Sequence, residues 1–393
     1  MEKKLKGLFY ITFFAVMILV VLPTVSFTQT PGKLTIGLMY DLTGPAAELG
    51  RSERDGAAWA IEEWKIKHGK MKGREIEYVE GDDMSDASRA TTIVKRMLNL
   101  DKIVALSGSS TSSCSIAACT VAKEVRPVPV VCGAAASKLF EDFHDICFSG
   151  PGSNYHYVRG YFPQLQKDGK KTIAVIYDNY AWGIDAWKWT KKWVDDVYGA
   201  KNGMKVVAGE PVELGTENVT AQLIRLKKEK PDCLIGHMIG TAESAGTLRG
   251  LVEMNWGVQY YTLDVSFGTM IATQPKEILE GVKVLAYWTP KKPYAQKVMK
   301  EFEEKRGKLP PNLAGFFHQY DVTRALLIAM ARANDPTNCA QIVAQFEKIR
   351  GEEQATGTVE SKLNFGPETY GDLDHSMLHS RPFYTFTKGE KVF

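Results

Sequence analysis

The residues best suited to binding chemistry are clustered in Ser107-Gly108-Ser109-Ser110-Thr111-Ser112-Ser113. The cluster follows a short apolar run, Ile103-Val104-Ala105-Leu106, and precedes a helix-compatible segment, Ile116 to Glu124. Hydroxyls and backbone N–H groups at a strand-to-helix corner face the positive end of the helix dipole. Such a corner suits a carboxylate or a phosphate. Taken alone, the same residues also read as a polar loop with a capping serine. The neighbouring elements favour the binding role.

Those elements alternate along the chain. Leu34–Met39, Glu75–Glu80, Ile103–Leu106, Val128–Cys132 and Ile146–Phe148 read as strands separated by helical patterns. A second set follows Gly150-Pro151-Gly152. Tyr155–Gln166 reads as a helix, Thr172–Tyr177 as a strand, and a Trp-rich helix runs through Trp193. Strands are expected at Met204–Ala208, Cys233–Met238 and Gln259–Leu263, with helices between them. Two β-α arrays in succession imply an α/β protein of two doubly wound parallel-sheet lobes. The expected division is 33–150 for lobe 1, 151–281 for lobe 2, 282–356 for a return to lobe 1, and 357–393 for a tail on lobe 2. Ligands in such sheets bind outside the carboxyl ends of the strands. The Ser-rich corner, Gly133-Ala134-Ala135-Ala136-Ser137, Asp178–Gly183 and Asp264 all fall at such ends.

Before these arrays stands a leader. Lys3, Lys4 and Lys6 precede an apolar stretch, Phe9–Leu22, and small residues at Thr24-Val25-Ser26. This pattern predicts a cleaved signal peptide over 1–26 and hence export. An uncleaved anchor is the competing reading, disfavoured by the short apolar core. Lys3, Lys4 and Lys6 against Glu2 supply two of the three net positive charges. A near-neutral mature chain offers no basis for nucleic-acid binding. The six cysteines, Cys114, Cys119, Cys132, Cys147, Cys233 and Cys339, include no C-x-x-C pair, so a zinc or dithiol redox site is not expected. Export permits disulfides, but their pairing is not readable from spacing. His375 and His379 lie four apart in a tail without a helical pattern, so no metal site is assigned to them. No Walker A lysine, H-E-x-x-H, G-x-S-x-G or G-x-G-x-x-G motif occurs. Neither a cofactor nor a catalytic group is therefore expected.

The ordered set Ile36-Gly37, Leu42-Thr43-Gly44-Pro45, Gly56-Ala57, Gly81-Asp82-Asp83, Ser109–Ser113, Gly133–Ala136, Asp178–Gly183 and Gln319-Tyr320-Asp321 carries a resemblance. The mature chain resembles the extracellular solute-binding proteins of branched-chain amino acid ABC transporters, of the type I periplasmic binding fold. The resemblance implies a periplasmic monomer whose two lobes, joined by a multi-strand hinge, capture a small molecule between them and deliver it to permease subunits. It places the carboxylate-holding hydroxyl on Ser112, with Ser113 alongside. It places backbone contacts on Ala134 and Ala136, with Ser137 supplying a hydroxyl that Ala136 lacks. It implies that Asp264 holds the ligand ammonium and that Trp182 packs on the ligand. Two departures, Leu49 and Gly240 where the family has aromatic residues, imply a ligand bulkier or flatter than leucine, with Trp182 and Tyr180 stacking on it. A sensor feeding a receptor or regulator is the alternative role, and an exported amidase-type enzyme a further one.

Overall fold

A computed structural model describes residues 32–365 and 383–393. The leader over 1–26 and the tail histidines His375 and His379 lie outside the described residues. Five strands fall in the first part of the chain: β1 (Lys33–Tyr40), β2 (Glu75–Asp82), β3 (Ala105–Ser107), β4 (Val130–Cys132) and β5 (Cys147–Ser149). A second group comprises β6 (Thr172–Asp178), β7 (Lys205–Val212), β8 (Cys233–His237), β9 (Gln259–Leu263) and β10 (Lys283–Leu285). Four more follow: β11 (Arg350–Glu353), β12 (Lys362–Asn364), β13 (Phe383–Thr387) and β14 (Glu390–Val392).

The first sheet has the order β2-β1-β3-β4-β5 and is parallel throughout. The second has the order β14-β13-β10-β9-β8-β6-β7. It is parallel from β7 to β10 and is closed at one edge by the antiparallel hairpin β13–β14. Central strands such as β3, β4 and β8, and the edge strand β5, are buried along their whole length. Helices cover both faces, so these strands read as unbroken apolar runs rather than as alternating ones.

Two expectations are corrected here. The stretch expected to return to the first lobe from residue 282 opens instead with a strand of the second. That strand, β10, extends the second sheet, with Lys283 opposite Tyr261 and Leu285 opposite Leu263. The return begins after it, with the helix Pro293–Arg306. The helix expected over Tyr155–Gln166 is two, Asn154–Arg159 and Phe162–Lys167. Pro163 explains the break: it has no N–H to continue the first helix, and it suits the opening turn of the second.

The returning segment packs helix Leu313–Arg332 along helix Ala47–His68. The Tyr320 hydroxyl donates to Glu63 Oε2 at 2.7 Å across that contact. The Phe346 ring lies on Phe148 of β5 at 3.8 Å and 17°. The chain between β11 and β12 is held by two buried charges. The Asp321 carboxylate accepts N–H bonds from Ala355 (2.8 Å) and Thr356 (2.9 Å), and the Thr356 hydroxyl (2.8 Å). Lys292 Nζ donates to the carbonyls of Thr356, Thr358 and Ser361 at 2.7, 3.0 and 2.9 Å. Burial pulls the Lys292 ammonium down to about 8. All six thiols are free, although Cys132 and Cys147 bring their sulfurs to 4.0 Å across β4 and β5. Among the described residues, no helix is long and apolar enough to cross a membrane.

Candidate ligand-binding site

Each sheet has one point where its strand order reverses: between β1 and β3 in the first, between β6 and β8 in the second. Connections leave in opposite directions there, which opens a crevice at the carboxyl ends of the strands. The two crevices face one small, tight cavity. Leu49 and Glu53 line it from helix Ala47–His68, and His318 from helix Leu313–Arg332. Ser110 enters from the corner after β3, and Gly133 and Ala135 from the corner after β4. Tyr180 and Trp182 follow β6, Ile239 follows β8, Leu263 and Val265 flank the end of β9, and Tyr287 follows β10.

The polar lining is unusual in having few partners. Glu53 and His318 are fully enclosed, at 0 % and 1 % exposure, with Glu53 Oε1 3.2 Å from His318 Nε2. Neither carboxylate oxygen and neither ring nitrogen has an aligned hydrogen-bond partner among the described residues. The same holds for the hydroxyls of Ser110 and Tyr180. Buried polar groups are normally paired, so four orphans on one small cavity are the expected signature of a site completed by a ligand. Gly133 makes room for this arrangement, because a Cβ at that position would collide with the Glu53 carboxylate.

The residues expected from the sequence separate into two groups. Trp182 and Tyr180 are on the lining, and Leu49 is as well. The others are not. Ser112 turns its hydroxyl to the next corner, where it accepts the Ala136 N–H at 3.3 Å. Ser110, two residues earlier, takes the cavity position, and Ser113 is half-buried on the first turn of the helix Ser112–Val125. The Ala134 carbonyl accepts the Ser149 hydroxyl at 2.7 Å. Extended chain alternates its faces, so Gly133 and Ala135 face the cavity where Ala134 and Ala136 do not. Ser137 is engaged across the cleft. Its N–H and hydroxyl donate to Asp185 Oδ2 at 2.9 and 3.0 Å, and it accepts the Trp189 indole N–H at 2.6 Å.

Asp264 also lies off the lining. Its Oδ1 accepts the Tyr384 hydroxyl at 2.7 Å and lies 3.3 Å from Lys391 Nζ, both from the hairpin β13–β14. Its Oδ2 has no partner among the described residues. Gly240 does not enlarge the cavity either, because the Glu243 carboxylate fills the space its missing side chain leaves. Glu53 and His318 were not foreseen. A signal was present: Glu53 stands midway between Leu49 and Ala57, four residues from each, on the apolar stripe of its helix.

Behind Tyr180 lies a buried acid pair. Asp178 Oδ2 accepts the Ile239 N–H at 2.8 Å, and Glu243 Oε2 accepts the Gly215 N–H at 3.0 Å. Both residues are fully buried. Burial raises both carboxyls, and for Asp178 the nearby Glu243 adds to it. Burial also raises the Tyr180 phenol, with Asp178 and Glu243 next in effect. Two acids raised in the folded state stabilise it at low pH, and that contribution is lost as pH climbs from the ordinary carboxyl range through their raised values. Glu243→Gln should therefore stabilise the protein at pH 8, by on the order of 1–3 kcal/mol, and by less at pH 5. Thermal unfolding of both forms at the two pH values checks this; equal effects at both would contradict it.

Comparisons with known proteins bear on the family and the fold. A family model described as periplasmic binding protein matches residues 33–390. The chain belongs to that family. The leucine-, isoleucine-, valine-, threonine- and alanine-binding protein of Pseudomonas aeruginosa is 28% identical over 206 residues, covering 52% of this chain and 53% of that protein. The chain thus spans about half the length of the curated relatives it matches. A type 1 periplasmic binding protein from Bordetella pertussis superposes with a TM-score of 0.78 at 20% identity, covering 91% of this chain and 97% of that one. A solute-binding protein from R. palustris, solved with benzoate, gives 0.74 at 19% identity, covering 92% and 95%. The two-lobed α/β architecture is that of the type I periplasmic binding proteins.

Proposed function

We propose that this chain is the exported substrate-binding subunit of an ABC importer. In this reading it captures an amino acid or a related small carboxylate or amide between its lobes and hands it unchanged to membrane permeases. The observation that carries the reading is the cavity, lined from both lobes and holding unpartnered polar atoms. The leader-like start supports export. The names of the relatives, aliphatic amino acids in one case and benzoate in another, set the range of ligands to be tried.

The physical logic is differential affinity. A ligand touching both lobes is fully held only when they are shut, so its binding free energy draws the population toward the shut form. The test is a thermal-shift screen of amino acids, amides and aromatic acids, followed by small-angle scattering on any hit. A ligand at a hundred times its Kd should add about 2.7 kcal/mol of stability. It should also compact the molecule. If no solute in the panel raises the melting temperature, the reading is overturned.

A further inference from the structure

The cavity's charge indicates which end of a ligand it takes, granted the solute-binding reading above. Among the described residues, Glu53 is the one acidic side chain on its lining, and no lysine or arginine lines it. A carboxylate enclosed to this degree is costly unless donors replace water. The neighbouring chain supplies none in hydrogen-bonding geometry: both Glu53 oxygens are orphans among the described residues. His318 approaches to 3.2 Å, stacked on the Tyr287 ring at 5.7 Å, but stays out of line. The alternative acid, Asp264, has Tyr384 and Lys391 on one oxygen and stands off the lining.

We infer that the ligand presents an N–H-rich end, a primary ammonium or a primary amide, and seats it on Glu53 of the first lobe beside His318. The hydroxyls of Ser110 and Tyr180 remain for an acceptor elsewhere on the same molecule. A plain carboxylate is a poor occupant, since it would bring a second negative charge beside Glu53 with no lysine or arginine among the described lining residues to offset it. Ammonium and amide share the donor chemistry and differ in charge.

Isothermal titration of the purified protein with four probes that share an isobutyl group separates these cases: leucine, isoamylamine, isovaleramide and isovalerate. At least one of the three nitrogen probes should bind more than tenfold tighter than isovalerate. Glu53→Gln, which keeps the shape and removes the charge, should weaken an ammonium probe more than tenfold. Glu53→Met should weaken an amide probe to a similar extent. Binding of isovalerate as tight as that of its amide, or nitrogen probes indifferent to both substitutions, would overturn the inference and leave the solute-binding reading standing. Failure of all four probes and of every amino acid would overturn both. Should a variant not fold, the order of the four probes on the unaltered protein still decides the matter.

Discussion

Asp321→Ala will lower the melting temperature of this protein by about 5–10 °C, the equivalent of about 3–5 kcal/mol. The carboxylate is fully buried and is the acceptor for two backbone N–H groups and one hydroxyl of residues 355 and 356. Removing it strands those donors away from water, each at a cost of about 1–3 kcal/mol before relaxation. It also leaves the Lys292 ammonium buried without the nearby negative charge that favours it. Those two groups hold the segment between β11 and β12, so the damage should reach the returning part of the chain first. Scanning calorimetry of the ligand-free protein measures the effect, and a fall of less than 2 °C would show that the segment is held by other contacts.

The second large effect concerns ligand affinity rather than stability. Asp185→Ala is expected to weaken binding of any ligand identified by about thirtyfold, with little change in the melting temperature of the ligand-free protein. Asp185 Oδ2 accepts the Ser137 N–H and hydroxyl from the first lobe, and Asn154 Nδ2 at 2.8 Å. Hydrogen bonds to a charged group contribute about 1.5–3 kcal/mol each. The Asn154 bond lies within the second lobe, but the two bonds from Ser137 join the lobes, so parting them would break those two, which count toward the shut form. Losing about 2 kcal/mol of that preference lowers the competent population about thirtyfold. Titration of a hit against both forms reads it directly. Equal dissociation constants would mean that the Ser137–Asp185 contact is not part of closure.

The fold was legible because parallel sheets impose a strong pattern. Val128–Cys132 is apolar at almost every position, as a strand covered on both faces must be, and the corners after such strands mark the site. Tyr180 and Trp182 were readable for that reason: they directly follow β6, where the second sheet reverses its order. The choice between Ser110 and Ser112 was not readable, since it depends on which hydroxyl meets the Ala136 N–H from a separate corner. The position of β10 was obscured because a three-residue strand carries no mark of which sheet it joins. Glu53 was overlooked because glutamate on a helix ordinarily faces water, and only its place on the apolar stripe argued otherwise.

The hairpin β13–β14 has a bearing on specificity that its distance from the cavity conceals. Tyr384 and Lys391 engage the acid at the end of β9, between the lining residues Leu263 and Val265, without themselves being on the lining. A relative lacking that hydroxyl and that ammonium would free a carboxylate between Leu263 and Val265. Two proteins with identical walls could then prefer solutes of opposite polarity, and a search confined to the wall residues would find no difference between them.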